Sequence, residues 1–157
     1  MSERIQLLFD ECVGRPLVEG LATLLKLDKS VSEVKRLLEM QQSGTADRLW
    51  IPTHAKEGWV LVTADRHRKG SSNAGGNLLS ICLAHDMTCI CLGKSVHQLR
   101  HIAKAGVILT LWQDIKAAAL GDRGLQYTLQ KSGASLSLIQ RQNRNKSRSK
   151  LRIARQG

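Results

Sequence analysis

Aromatic side chains are scarce in this chain: they make up 3% of its 157 residues, with three Trp, one Tyr and one Phe. So few rings leave little surface for stacking on bases, which argues against an RNA-binding domain built on an aromatic platform. No stretch approaches about 18 consecutive apolar residues, so we expect no membrane-spanning helix. The first residues carry charges at Glu3, Arg4 and Asp10 and lack the apolar core of a secretory signal, so we expect a cytoplasmic protein.

Cysteine pairs of the Cys-x-x-Cys type are also missing, so the sequence gives little support for a zinc site. Cys82, Cys89 and Cys91 lie in apolar surroundings and are expected to be buried thiols. Cys89 and Cys91 are two residues apart, so on a strand they would point to the same face. His97 and His101 have the spacing of a shared helix face, but the glutamate of a metalloprotease motif is missing between them, which indicates ordinary histidines.

Positive charge is the first feature that points to a partner. Lys and Arg total 24 against 13 Asp and Glu, giving a formal net charge of +11 and a pI near 10.0. Seven of these bases lie in residues 141–157, which contain no acid: Arg141, Arg144, Lys146, Arg148, Lys150, Arg152 and Arg155. The other 17 bases and the 13 acids leave residues 1–140 with a charge of only +4. Such a balance favours a polyanionic partner, above all nucleic acid.

The length of the chain and its 42% apolar content suit a single folded domain, which we place at residues 1–140. After Ile139 no apolar periodicity persists, so residues 141–157 are expected to form a disordered basic tail. Strands are predicted at 5–9, 59–63 and 88–92, with a closing hairpin around 131–134. Helices are predicted at about 15–26, from Thr45 or Asp47 to Gly58, at 77–87, at 96–106 with Ser95 as N-cap, and at 107–120.

Two stretches allow more than one interpretation. Residues 30–42 fit a helix, while 31–34 could instead form a short strand before a loop. The helix that ends at Gly58 is expected to be broken or kinked near Pro52. In either case, strands and helices alternate along the chain. This order predicts an α/β fold with a mostly parallel central sheet.

Acidic residues follow two of the predicted strands. Asp10 and Glu11 come directly after the run 5–9, and Asp65 follows the run 59–63. The carboxyl ends of parallel strands form the ligand crevice of an open α/β sheet, so these acids could lie close together there. Clustered acids repel one another unless a cation neutralises them, and an all-oxygen set suits Mg²⁺ or Mn²⁺. The alternative is that they are ordinary solvated turn residues.

Asp47 adds a third acid, 18 residues before Asp65. With it, the sequence resembles the PIN-like nucleases, especially the compact group related to VapC-type toxins. The resemblance is carried by FDEC (residues 9–12), by ADRLWIPTHAKEGWVLVTADR (46–66) and by the spacing between them. It covers residues 5–67 well and 76–120 more loosely. It implies a three-layer PIN-like fold with helices on both sides of the sheet and a strand at 31–35. The C-terminal hairpin and the basic tail are predicted from the residues themselves, and the tail lies outside the resemblance.

The resemblance also implies a metal-dependent endoribonuclease. Asp10, Asp47 and Asp65 match the acids that hold Mg²⁺ or Mn²⁺ and carry catalysis. Glu11 matches an acidic neighbour found in the compact group, and Thr63 matches a hydroxyl that supports the last acid. In the family, metal-assisted hydrolysis of a phosphodiester bond leaves a 3′ hydroxyl and a 5′ phosphate. The VapC-like features imply a toxin that is bound by a small antitoxin protein.

Two family acids have no clear counterpart in the sequence. Full PIN nucleases place another acid on a helix between the first and third motifs, where only Glu33 or Glu39 could serve, and only if their segment is helical. The usual aspartate just past Thr-x-Asp is replaced by RHRKGSS. An alternative is therefore a non-catalytic nucleic-acid-binding module of the same fold. A third interpretation is a protein-interaction domain whose basic tail docks an acidic partner.

Basic residues near the acids and in the tail are predicted to hold backbone phosphates. They are Arg15, Arg66, His67, Arg68 and Lys69 near the acids, and Arg144, Lys146 and Arg148 in the tail. The alternative for each group is a solvated segment. No base-reading motif distinguishes RNA from DNA, although the resemblance favours RNA. A homo-oligomer is also compatible with the sequence.

Overall fold

A single sheet organises the residues that the structure, a computed structural model, describes: 4–64 and 78–141. Its strands are β1 (Ile5–Phe9), β2 (Val31–Arg36), β3 (Val60–Thr63), β4 (Cys89–Leu92), β5 (Gln126–Ser132) and β6 (Ser135–Gln140). The helices are α1 (Arg15–Leu25), α2 (Asp47–Lys56), α3 (Leu78–Ala84), α4 (Lys94–His97), α5 (His101–Thr110) and α6 (Trp112–Leu120). The strand order is β2-β1-β3-β4-β5-β6, parallel throughout except for the antiparallel hairpin of β5 and β6. The predicted α/β fold with a mostly parallel sheet is confirmed.

Side chains that alternate along the strands bury both faces of the sheet. On β1, Leu7 and Phe9 pack with α1, α5 and α6, whereas Leu8 packs with α2 and α3. On β3, Val62 belongs to the first face and Leu61 to the second. Parallel strands covered on both faces read as unbroken apolar runs, which is why β1, β3 and β4 stand out in the sequence. The result is three layers, with the sheet between two groups of helices.

The segment at 31–36 is the strand β2, so the helical interpretation of this segment is wrong. Its pairing with β1 shifts register: Ile5 lies opposite Val31, but the next residue of β1, Gln6, lies opposite Glu33. The irregularity places Val31 and Val34, three residues apart, in the same buried cluster. A spacing of three is typical of helices, which explains why the sequence pattern was ambiguous.

The helix α2 is not broken at Pro52. Pro52 is its sixth residue and cannot donate the backbone hydrogen bond to the carbonyl of Arg48. The helix continues to Lys56 because its apolar side, with Trp50 and Ile51 fully buried, is held against β3 and α3. Tertiary packing therefore outweighs the local penalty of the proline.

The helix predicted at 96–106 is divided in two. The helix α4 ends at His97 and α5 begins at His101, so these two histidines do not share a helix face. The prediction that Ser95 caps this helix is also wrong. Its hydroxyl accepts a hydrogen bond from the backbone amide of Lys131 at 2.9 Å, and Gly93 takes the N-cap position. Ser95 thus joins α4 to the hairpin.

The three cysteines in apolar surroundings are buried, as predicted. Cys89 and Cys91 lie on the same side of β4 with their sulfur atoms 4.0 Å apart, and they pack in the cluster that contains Cys82. Among the described residues, none of the helices combines the length and the apolar character that crossing a membrane requires.

Asp28 connects the turn after α1 to the helix α6. Its carboxylate accepts hydrogen bonds from the backbone amide and hydroxyl of Ser30, at 2.9 and 2.6 Å, and from the indole nitrogen of Trp112 at 3.0 Å. The Nζ atom of Lys116 lies 3.1 Å from the same carboxylate. The hydrogen bonds from Ser30, then those from Trp112 and Lys116, hold the pKa of Asp28 well below its ordinary value. Because Asp28 precedes β2, this network fixes α6 against the edge of the sheet.

Replacing Asp28 by Asn should lower the melting temperature at pH 7, because the amide removes the charge that Lys116 and its other donors meet. A carboxyl whose pKa is depressed by folding stabilises the protein above its unfolded-state pKa, about 3.9, and loses that contribution as the pH falls. The difference from the wild type should therefore shrink below about pH 4. Thermal melts across this range test this, with Asp122→Asn, at an exposed aspartate, as the control. Equal melting temperatures at pH 7 would contradict it.

Candidate active site

The chain reverses its direction of travel across the sheet between β1 and β3. The strand β1 continues to β2 on one side, and β3 continues to β4 on the other. Accordingly, α1 and α3, which follow these two neighbouring strands, pack on opposite faces of the sheet. In open α/β sheets a crevice forms at such a point, outside the carboxyl ends of the two strands. Asp10, the first residue after β1, lies at this crevice.

Two hydrogen bonds hold the carboxylate of Asp10 in position, one from Glu11 and one from Thr63. One oxygen accepts a hydrogen bond from the backbone amide of Glu11 at 2.7 Å and caps the short 3-10 turn Glu11–Val13. The other oxygen accepts a hydrogen bond from the hydroxyl of Thr63 at 2.8 Å. The backbone amide of Asp10 donates to the carbonyl of Val62 at 2.9 Å. Asp10 is therefore fastened to the end of β3 as well as to β1.

Thr63 supplies the hydroxyl that was predicted to support an acid. It is the last residue of β3 and is fully buried. A hydroxyl has a single proton to donate, and Thr63 donates it to Asp10. The support that the resemblance implied for Asp65 stays a prediction, because Asp65 lies outside the described residues.

Glu11 and Asp47 lie at the same edge of the sheet as Asp10. The exposed Glu11 extends towards the loop before α2, where its carboxylate is 3.5 Å from the hydroxyl of Ser43. Asp47 is the first residue of α2 and is half-buried. The last residues of α2 lead through Gly58 into the start of β3, so its first turn lies at the opposite, carboxyl end of the strands. The structure thus brings three of the predicted acids to one edge.

A metal site formed by described residues alone is not present: in 4–64 and 78–141, no three His, Cys, Asp or Glu side chains are grouped closely enough to hold an ion. The predicted site includes Asp65, which is not among these residues. Most of the predicted tail also lies outside the described residues. So do the other residues predicted to contact nucleic acid: Arg66, His67, Arg68, Lys69, Arg144, Lys146 and Arg148. Their roles stay predictions.

The donor chemistry of Asp10 and Asp47 nevertheless suits a hard divalent cation. Both supply carboxylate oxygens, the ligands that Mg²⁺ and Mn²⁺ prefer. A carboxylate has about four lone-pair positions, and three of those of Asp10 are used, by Glu11, Thr63 and Cys12. The remaining position belongs to the oxygen that caps the 3-10 turn. One oxygen of Asp10 can therefore still accept a ligand without breaking a hydrogen bond.

Glu33 and Glu39 were the candidates for the additional acid that full PIN nucleases carry on a helix. Glu33 lies on β2 and forms an ion pair with Lys35 at 3.3 Å. Glu39 lies in a 3-10 turn, and its carboxylate accepts a hydrogen bond from the backbone amide of Arg36 at 2.6 Å. Neither is on an α-helix, so the structural condition set for their role is not met.

Arg15 begins α1 at the edge where Asp10 lies. Its Nε atom is 2.7 Å from the carboxylate of Glu19, one helical turn further on. Both side chains are more than half exposed, at 68% and 56%, so water screens this ion pair strongly. The pairing leaves the guanidinium accessible, and the contact of Arg15 with phosphate stays a prediction.

Cys12 is a member of this site that the sequence pattern did not reveal. The residue is exposed, but its sulfur faces the protein, 3.6 Å from the carboxylate of Asp10 and 3.7 Å from the hydroxyl of Thr63. The backbone amide of Ala64 donates to this sulfur at 3.3 Å. The 3-10 turn after Asp10 brings Cys12 into contact with Asp10, two residues earlier. The motif FDEC alone does not predict this turn. Cys12 therefore joins the ends of β1 and β3 beside the carboxylate.

Comparison with protein families agrees with this geometry. Residues 5–75 match the family model described as PIN like domain. The match spans slightly less than half of the chain and supports a PIN-like domain, in agreement with the three-layer fold. It includes the crevice between β1 and β3 and both acidic motifs. PIN-like domains are commonly nucleases. No curated protein and no solved structure is significantly similar to the chain.

The thiol of Cys12 should react slowly with alkylating reagents. Burial of the sulfur, and next the negative charge of Asp10, raise the pKa of the Cys12 thiol above its ordinary value. Since the thiolate is the nucleophile, alkylation by iodoacetamide at pH 7.5 should be at least roughly tenfold slower than that of free cysteine. Asp10→Asn removes one cause of the raised pKa and should accelerate the reaction.

Labelling followed by mass spectrometry measures this rate. The other cysteines, Cys82, Cys89 and Cys91, are buried, so Cys12→Ala should abolish the labelling of the folded protein. A rate equal to that of free cysteine would show that the thiol is not held against Asp10.

Proposed function

We propose that this protein is a metal-dependent endoribonuclease that hydrolyses phosphodiester bonds of single-stranded RNA at the crevice between β1 and β3. The observation that carries the proposal is the position of Asp10. Its carboxylate lies between β1 and β3, where the chain reverses its direction of travel across the sheet, and a hydrogen bond from the buried Thr63 holds it there. The PIN-like family match over this region supports the same reaction class.

In this proposal Asp10, Asp47 and Asp65 hold Mg²⁺ or Mn²⁺. When bound, such an ion lowers the pKa of a water molecule and offsets the charge that develops on the phosphate. The residues of the chain fix the geometry. Thr63 and the amide of Glu11 hold the carboxylate of Asp10 in one orientation, so that little reorganisation is needed when the ion binds.

Cations near the acids complete the proposed site. Arg66, His67, Arg68 and Lys69 follow Asp65 in the chain and hold the backbone phosphates of the RNA strand. Arg15, at the start of α1, contacts the same RNA strand. The basic residues of 141–157 add contacts that do not depend on sequence.

The resemblance to VapC-type toxins supports a further step in this proposal. The ribonuclease acts in the cytoplasm as a toxin, and a small antitoxin protein binds it and inhibits cleavage. Expression of the wild type without such a partner would then stop cell growth, whereas an inactive variant would not.

A second candidate function is a nucleic-acid-binding module without catalysis. It is favoured by the missing helix-borne acid: Glu33 lies on a strand and Glu39 in a 3-10 turn. A PIN-like fold with fewer carboxylates than the full family set would lose catalysis, but it would keep its basic surface and still bind RNA. The two functions differ in a single measurable property, the cleavage of RNA in the presence of a divalent ion.

The purified protein should cleave labelled single-stranded RNA in the presence of Mg²⁺ or Mn²⁺, and a chelator should stop it. Asp10→Asn and Asp65→Asn should each lower the rate at least about 100-fold, because the ion stabilises the transition state by several kcal/mol. Asp122→Asn, at the opposite edge of the sheet, is the matched control and should cleave normally. Undiminished cleavage by both site variants would reject this site, and binding of RNA without cleavage by the wild type would favour the second candidate.

Thr63 is proposed as a positioning residue for Asp10. Thr63→Val keeps the shape of the side chain but removes the donor, and we expect it to weaken Mn²⁺ affinity by about 10- to 100-fold. Thr63→Ser keeps the hydroxyl and should retain most of the affinity. Calorimetric titration with Mn²⁺ separates the two, with circular dichroism confirming that each variant folds. Equal affinities of the valine and serine variants would show that the hydrogen bond has no positioning role.

A further inference from the structure

We infer that a polar groove between α4 and the β5–β6 hairpin binds the phosphate backbone of the RNA strand that enters the crevice. This inference rests on the proposed function and names a second contact surface for the same substrate. The groove has a volume of about 480 Å³, which falls within the usual range of ligand-binding clefts.

The chemistry of the groove suits a phosphodiester backbone. Its nine lining residues comprise two lysines, four serines, two glutamines and a glycine, and none of them is acidic. Lysine ammonium groups and serine hydroxyls are common donors to phosphate oxygens. The lining contains no aromatic ring that could stack on a base. The groove is therefore suited to hold RNA without reading its sequence.

The two lysines are accessible for this role. Lys94 and Lys131 are both exposed and both line the groove, one from α4 and one from β5. Within residues 4–64 and 78–141, neither forms an ion pair with an acidic side chain. Their charges are thus not neutralised by a described carboxylate.

The groove opens at the same edge of the sheet as the crevice. Phe9 of β1 lies level with Val62 of β3, which pairs with Ile90 of β4. Two residues further towards the carboxyl ends of these parallel strands, Leu92 pairs with Leu129. The groove starts one residue later, at Gly93. At about 4.8 Å between neighbouring strands, β1 is about 10 Å from β4 and about 14 Å from β5. A short single strand can span this distance along the edge.

The hairpin forms one wall of the groove. The strand β5 continues three residues past Leu129, so it projects about 10 Å beyond the end of β4. Two backbone amides fasten it to the start of α4: the amide of Gly93 donates to the carbonyl of Leu129 at 2.8 Å, and the amide of Lys131 donates to the side-chain hydroxyl of Ser95 at 2.9 Å. A Cβ atom at Gly93 would lie 2.6 Å from the carbonyl of Leu129, so only glycine permits this close approach.

The test is the binding of a fluorescent single-stranded RNA to the full chain in the presence of a chelator, which prevents cleavage. Lys94→Ala combined with Lys131→Ala should raise the dissociation constant about tenfold. It should also reduce the slope of log affinity against log salt by about 1.4, since each phosphate contact on a single strand contributes about 0.7. Ser135→Glu, which places a negative charge in the groove, should weaken binding in the same direction.

The matched control removes two lysines from the opposite edge of the sheet. Lys29 precedes β2 and Lys56 precedes β3, and both are exposed. Lys29→Ala combined with Lys56→Ala makes the same change in net charge and should alter affinity less than about twofold. Equal weakening by the two pairs would overturn the inference, because only net charge would then matter. Unchanged affinity of the groove variants, or no RNA binding by the wild type, would overturn it as well.

Cleavage measurements distinguish failure of this inference from failure of the proposed function. If the wild type cleaves RNA but the groove variants bind as the wild type does, the groove is excluded and the ribonuclease stands. If the groove variants bind weakly but no variant or wild type cleaves, the groove stands and the ribonuclease is excluded. With both correct, the groove variants should raise KM while leaving kcat within about twofold, since they act on binding and not on the reacting bond.

Discussion

The hydrogen bond from Thr63 to Asp10 is the interaction on which the candidate site depends. It joins the carboxyl ends of two parallel strands whose following helices lie on opposite faces of the sheet. A hydrogen bond to a carboxylate is stronger than one between neutral groups, and the full burial of Thr63 leaves its hydroxyl no competing water. The position of Asp10 is thereby set by the sheet itself. A ligand at this crevice would meet an oxygen that is already in place.

Much of the fold could be predicted because its signals are local. The strands β1, β3 and β4 are short apolar runs, and a run of this kind is typical of a strand buried on both faces. The features that could not be predicted depend on distant partners. The irregular pairing of β2 comes from β1, and the hydroxyl of Ser95 bonds to Lys131, 36 residues away, instead of capping a helix. Local propensity carries no information about either contact.

The same division holds for the candidate site. Asp10 could be placed at the carboxyl edge of the sheet because acids that end parallel strands lie there. Asp47 became a candidate through the resemblance to PIN-like nucleases. The contact of Cys12 with Asp10 could not be predicted, since it requires the 3-10 turn that the carboxylate itself caps. The groove between α4 and the hairpin is even harder to predict from the sequence. Lys94 and Lys131 share it only because the hairpin extends past β4.

The distribution of charge along the sheet edge explains why the acids and the groove would act together. Asp10, Glu11 and Asp47 gather negative charge near one end of this edge, and a phosphate approaching them alone would be repelled. A divalent ion at the acids, as proposed, would remove that repulsion but would not hold the rest of an RNA strand. The strands β4 and β5 lie about 10 and 14 Å from β1, farther than the Debye length of about 8 Å at physiological salt, so the acids cancel the attraction of the lysines only partly. A polyanion can therefore be held at one end of the edge while its scissile bond is presented at the other.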